Sequence, residues 1–348
     1  MSKKVTFEVN GRSYNPPNTP IVVICIDGCA DEYLSAAIVK GYLPNIAKMS
    51  KQGHHGLARG ALPSFTNVNN CSICTGVSPL KTGICGNYFL NPETGEEVMM
   101  NDPKFLRVPT ILAAAAKAGR KVGFVTAKDK LRKILSKDLK GIAFSSEFAS
   151  KATIEENGID NVTQLMGDAN PDIYSAEASI FVIKAGVMLL KEKKADFLYL
   201  STTDYIQHKY MPEAPEALEF YREIDSQIGE LLNMGAIVGI TADHGMNAKH
   251  DVSGKPNIIY LETILEKKFG KDVKVVCPIT DPYVVHHGAL GGAVTVHIKD
   301  KAKVNEVANF IMNIEGITEV HNKEMSEKKL ELAQDRIGDL LLAARTWY

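Results

Sequence analysis

The chain has 348 residues, 45% of them hydrophobic and 23% charged, and 40 basic side chains against 41 acidic ones leave a formal charge of −1. That balance, with a mean hydropathy of −0.08, describes a globular protein with one large core or two domains. It excludes the one-signed field of a nucleic-acid binder, and the sequence has no charge block or fixed-period repeat.

The N-terminus, Met1-Ser2-Lys3-Lys4, leads into the polar stretch Asn10–Asn18 rather than an apolar run. The sequence therefore predicts no secretory signal and a cytoplasmic location. The apolar stretches Ile21–Ile26 and Ile180–Leu190 fall well short of the ~20 residues a membrane span needs. Six cysteines, with Cys71-x-x-Cys74 the only close pair, predict buried thiols in preference to a redox or metal motif.

In chain order, Ile21–Ile26 reads as a buried strand ending at Asp27-Gly28, followed by a helix over Leu43–Lys51. Leu62–Asn70 leads into a short helical stretch, Cys71–Thr75. An Ala-rich helix over Thr110–Ala118 stops at Gly119, where a C-cap glycine fits, and Lys121–Thr126 is the next strand. A long helix over Ile173–Lys194 leads into the strand Phe197–Ser201, and a helix over Pro215–Leu232 into the strand Ala236–Thr241. Strands alternating with helices predict an α/β fold, a mostly parallel sheet with helices on both faces. After Gly245 the strands Lys274–Ile279, Tyr283–His287, Ala293–Ile298 and Thr318–His321 alternate with helices over Val304–Ile314 and Ser326–Leu332. This predicts a smaller α+β cap. The expected division is a core over residues 20–250, a cap over 251–334, and a return to the core over 335–348.

Ligands of parallel sheets gather at the carboxyl ends of the strands. Here those ends carry Asp27, Lys128 and Lys130, Asp204 and His208, and Asp243-His244. Asp204 and His208 lie one helical turn apart on one face, as a chelating pair needs or as an exposed polar face would show. Asp27 reads as a ligand or as a helix N-cap. Together these carboxylates and imidazoles suit Zn²⁺ or Mn²⁺ better than the all-oxygen shells of Ca²⁺ and Mg²⁺. Thr66 stands before a helix, where a hydroxyl either caps the helix or, beside a metal, serves as a nucleophile.

Asp27-Gly28, Pro63-Ser64-Phe65-Thr66-Asn67, Gly86-Asn87-Tyr88, Asp204-x-x-x-His208 and Asp243-His244-Gly245, in this order, resemble the alkaline phosphatase superfamily, in its nucleotide pyrophosphatase/phosphodiesterase-like branch. Within that branch, the segment from Thr126 through Lys128 to Lys130 and the segment Asp281–Gly288 are similar to phosphonoacetate hydrolases. The resemblance implies an alkaline phosphatase-like fold and two zinc ions. Asp27, Thr66, Asp243 and His244 would hold one, with Thr66 as nucleophile; Asp204 and His208 would hold the other. Asn87 would donate to a phosphoryl oxygen, and Lys128 and Lys130 would face the substrate carboxylate. The implied reaction splits the carbon–phosphorus bond of phosphonoacetate through a Thr66 phosphoenzyme.

One departure concerns the third ligand of the second zinc, a histidine that the family carries beyond the stretch that here reads Asp335–Leu340. Either the chain is C-terminally shortened, which leaves the second site incomplete, or another histidine substitutes. His250, His286, His287, His297 and His321 remain; His286 and His287 belong to the inserted region by resemblance and are not promoted to ligands. A phosphodiesterase or nucleotide pyrophosphatase of the same superfamily, or an inactive binding homologue, are the alternatives. The expected partner is a small-molecule phosphonate, without nucleic acid or membrane, with a homodimer the one protein assembly considered.

Overall fold

A computed structural model describes residues 5–251, 253–280 and 291–345. The chain divides into two compact units. The first comprises residues 1–60, 73–76 and 108–246, the second residues 61–72, 77–107 and 247–348.

The first unit is built on five strands: β1 (Ile21–Cys25), β2 (Val122–Thr126), β3 (Ile142–Ser145), β4 (Phe197–Ser201) and β5 (Ile237–Thr241). They pair in parallel in the order β3-β2-β4-β1-β5. All five residues of β2 are buried, as a strand covered on both faces requires. The sheet is flanked by helices, among them α2 (Asp129–Leu135), α3 (Ala176–Lys191) and α5 (Pro215–Asn233). Along α5, Ala217, Leu218, Tyr221, Ile224, Ile228 and Leu231 recur at helical spacing and are buried. Each large apolar side chain on that face contributes about 1.5–3 kcal/mol on burial. Proline at the first position of α5, where the missing N–H costs nothing, sets its start.

Register fixes what the sheet does. Thr126 lies opposite Ser201, and Ser201 and Thr241 each lie opposite Cys25. Four adjacent strands therefore end level with one another, and the residues two or three positions beyond each end leave from one edge.

The second unit holds an antiparallel sheet of β6 (Val273–Val276), β7 (Ala293–Ile298), β8 (Ile317–Asn322) and β9 (Leu340–Ala344), in the order β6-β7-β9-β8. Its core includes Leu265, Val296, Ile298, Val307, Ile311, Leu340 and Leu342. Within residues 335–348, expected to return to the core, Leu340–Ala344 run between β7 and β8, where Leu340 and Leu342 fill the core of the second unit. Residues 61–72 and 77–107, assigned from sequence to the core, belong to this second unit. The expected strand Tyr283–His287 lies outside the described residues.

Among the described residues no helix is long and apolar enough to cross a membrane. The cysteines are free thiols, five of them buried; burial pushes Cys29 and Cys85 up to about 12.

Candidate metal centre

In the first unit, the ends of β1, β4 and β5 deliver Asp27, Asp204 and His244. Ligand-type atoms of these three lie within 4.8 Å of one another, and among the described residues no other trio of His, Cys, Asp or Glu does so. His244 Nε2 stands 3.1 Å from Asp27 Oδ1 and 4.0 Å from Asp204 Oδ2. Asp204 is the N-cap of the short helix α4 (Tyr205–Lys209). One turn later His208 returns its Nε2 to within 2.9 Å of Asp204 Oδ2. The predicted i, i+4 pair thus forms, on side chains 6% and 15% exposed.

Backbone groups hold the carboxylates in place. The Asp27 amide donates to Thr202 Oγ1 at 2.9 Å. Asp243 Oδ1 accepts from the amides of Gly28, at 3.2 Å, and His244, at 3.0 Å. Gly28 has a φ of +69°, and a Cβ there would come within 3.1 Å of Asp204 Cβ. Glycine is therefore required both by backbone conformation and by the approach of the second carboxylate. His244 Nδ1 meets the Gly245 carbonyl at 3.0 Å, which directs Nε2 toward Asp27.

The electrostatics are those of buried carboxylates facing an imidazole and a lysine. Asp27 is fully buried, and apart from His244, whose Nε2 stands 3.1 Å from Oδ1, its carboxylate oxygens have no hydrogen-bond partner among the described residues. Burial, with Asp27 nearby, pushes the Asp243 carboxyl up to about 8. Burial opposes a charge on His244, but Asp243, Asp27 and Asp204 outweigh it and raise the imidazole to about 10. Buried carboxylates without donors are costly unless a cation meets them. The donor set, carboxylates with imidazoles, fits a divalent ion such as zinc.

Lys128 lies on the same edge, with Nζ 3.3 Å from Asp204 Oδ1. Burial works against its charge, yet Asp204, Asp27 and Asp243 outweigh it, and its pKa rises above the ordinary lysine value. Lys130 follows in the first turn of α2, half-buried.

Thr66 and Asn87 belong to the second unit. Thr66 opens the helix α1 (Thr66–Thr75), which starts five residues before the predicted Cys71. The polar run Thr66-Asn67-Val68-Asn69-Asn70 conceals that start, because Asn usually competes with helix backbone. Here two of those side chains bond outside the helix: Asn69 brackets the amide and carbonyl of Ala61 at 2.7 and 3.1 Å, and Asn67 Nδ2 donates to the Met100 carbonyl at 3.1 Å. The Asn67 amide donates to Asn87 Oδ1 at 3.2 Å, so Asn87 sits beside the residue that follows Thr66.

Of the remaining histidines, His250 lies by the Asp251 carbonyl and His321 pairs with Glu319 at 2.7 Å. Burial lowers His297 to about 4. His286 and His287 lie outside the described residues, as does the segment Asp281–Gly288. Sequence reasoning missed Thr202 and the Gly28 amide, since neither carries a motif of its own.

A family model described as type I phosphodiesterase/nucleotide pyrophosphatase matches residues 21–348. The fold is similar to that of phosphonoacetate hydrolase from Sinorhizobium meliloti 1021, solved in complex with phosphonoformate and with phosphonoacetate. The TM-score is 0.95 at 47% identity, over 99% of this chain and 85% of that one. Murine ectonucleotide pyrophosphatase/phosphodiesterase 5 shares the fold, with a TM-score of 0.61 at 16% identity over 94% of this chain and 79% of that one. Human ectonucleotide pyrophosphatase/phosphodiesterase family member 1 is 27% identical over 245 residues, 65% of this chain and 23% of that protein. The chain spans about a quarter of the length of the curated relatives it matches. The chain belongs to the type I phosphodiesterase/nucleotide pyrophosphatase family.

Proposed function

We propose that this chain hydrolyses the carbon–phosphorus bond of phosphonoacetate to acetate and phosphate. The observation that carries this reading is the 47% identity, over 99% of the chain, to a phosphonoacetate hydrolase. The buried Asp27, Asp204 and His244 cluster with Lys128 at its rim supports it.

Asp27, Asp243 and His244, with Thr66, would hold one zinc ion, and Asp204 and His208 the other. Bound zinc supplies the positive charge that makes a hydroxyl or water oxygen a nucleophile near neutral pH. Thr66 Oγ then forms a bond to phosphorus as the carbon–phosphorus bond breaks. The electron pair passes to the CH₂ carbon and spreads into the carboxylate. The carbon takes up a proton to give acetate, and water cleaves the Thr66 phosphoester to release phosphate. Asn87, whose oxygen is engaged by Asn67, would present its amide nitrogen to a phosphoryl oxygen. A carbanion is a poor leaving group, so Lys128 and Lys130 act where negative charge grows, at the carboxylate, and favour the transition state over the bound substrate.

The family as a whole favours a second reading, hydrolysis of a phosphodiester or nucleotide pyrophosphate by the same residues. Phosphate release from phosphonoacetate, measured beside cleavage of an aryl phosphodiester, separates the two. The first reading expects phosphonoacetate to be the better substrate, zinc near two per chain, and no turnover in Thr66→Ala. Turnover of the diester alone would overturn it.

A further inference from the structure

Lysine carries a compact charge on a flexible stem, so a pair of lysines recognises a small carboxylate only if their backbone is fixed. Lys128 and Lys130 flank Asp129, and Asp129 is the most heavily anchored residue of the turn from β2 into α2. It is 6% exposed, as is fitting only for a carboxylate with partners. Arg132, itself 5% exposed, donates to both its oxygens, and Ser145 Oγ donates to Oδ1 at 3.3 Å. Lys133 Nζ stands 3.3 Å from Oδ2, and Arg132 reaches on to Glu156. Burial alone would raise the Asp129 carboxyl; Arg132 and Lys133 bring it below the ordinary value.

A second clamp comes from the exit of β3. Lys128 occupies the N-cap position of α2 but has no acceptor to cap with. Glu147 performs that task from outside the helix, its Oε2 accepting from the Asp129 amide at 2.9 Å. Glu147 is fixed in turn, its amide donating to the Ala127 carbonyl at 3.2 Å and its carbonyl accepting from Asn170 Nδ2 at 2.8 Å. The turn bearing both lysines is thus held on its side-chain face by Arg132 and Ser145 and on its backbone by Glu147.

Resting on the reading of the chain as a phosphonoacetate hydrolase, we propose that Asp129 and Glu147 are positioning residues that fix Lys128 and Lys130 for the carboxylate of the substrate. Neither touches the substrate. They set selectivity for carboxylated phosphonates over phosphonates of similar size that lack the group.

The test compares the dissociation constants of phosphonoformate and methylphosphonate on the full, zinc-loaded chain by calorimetry, for wild type, Glu147→Ala, Asp129→Asn and the Lys128→Ala, Lys130→Ala double variant. Glu147 is only partly buried and lies outside the Asp129–Arg132 pair, so Glu147→Ala, which removes the acceptor of the Asp129 amide, keeps the test valid if Asp129→Asn fails to fold. Wild type is expected to prefer phosphonoformate, and the double variant to lose about a hundredfold of that preference. Glu147→Ala should lose about tenfold, with methylphosphonate affinity unchanged, since displacing a charged group by a fraction of an ångström is costly. A preference that falls in the double variant but not in Glu147→Ala overturns the positioning role alone. Equal weakening of both ligands in Glu147→Ala also overturns it, because that reports a general structural defect. A wild type without preference, or a double variant that keeps it, removes the carboxylate reading and the positioning role with it.

Discussion

The Lys128 ammonium rests 3.3 Å from the Asp204 carboxylate, on side chains 22% and 6% exposed. A residue proposed to recognise substrate and a residue proposed to hold metal are therefore neighbours. A charge this well sheltered is screened less by salt than a surface pair.

Replacing Lys128 and Lys130 together by alanine should weaken phosphonoacetate turnover by about a hundredfold or more. Turnover of an aryl phosphate ester, which has no carboxylate, should fall far less. Parallel kcat/KM measurements on the two substrates check this, and equal losses would remove the specificity argument.

Asp27→Asn should abolish tight zinc binding, and with it the rise in melting temperature that zinc gives the wild type. Asp27 is fully buried, stands 3.1 Å from His244 Nε2 and shares the cluster with Asp204. Melting curves with and without zinc test this, and a zinc-induced shift as large in the variant as in the wild type would contradict the prediction.

Gly28→Ala should leave the chain folded but impair metal uptake. Its φ of +69° costs a side chain about 1–2 kcal/mol. The added Cβ, 3.1 Å from Asp204 Cβ, also presses on the cluster. Circular dichroism should stay native while zinc per chain drops.

Asp339 contributes to acid stability in the second unit. Burial would raise the Asp339 carboxyl, but Lys301 and the Ile298 amide, bonded at 2.7 Å, hold it below the ordinary value. A depressed carboxyl stabilises the fold above its unfolded pKa of about 4 and loses that contribution as pH falls through the lower folded value. Asp339→Asn should therefore cost about 1–3 kcal/mol at pH 7 and much less near pH 3. Urea melts at the two pH values measure the difference.

The sequence showed the parallel sheet well, because buried strands such as Phe197–Ser201 are short, β-branched or aromatic runs bounded by helical periodicity. The strand Ile142–Ser145 escaped notice because it is only four residues long. The approach of Asp27, Asp204 and His244 was legible as well, since each stands two or three residues beyond a strand that ends level with its neighbour. What holds them was not. The Thr202 hydroxyl and the Gly28 amide act through contacts that carry no motif, and Asp129 between two lysines reads as an ordinary helix-starting acid until Arg132 and Glu147 surround it. The placement of Leu340–Ala344 in the antiparallel sheet depends on pairing with strands far apart in sequence, which local periodicity does not encode.

Asp243 and His244 hang from β5, the outermost strand of its sheet among the described residues, with Ile237 half exposed at 51%. Outer strands open by partial fluctuations that need far less free energy than unravelling the whole domain. The proposed metal site is then the first casualty of warming: heat should silence the protein well before spectroscopy sees it melt, and bound cations should delay that silence by riveting the outer strand to its neighbours.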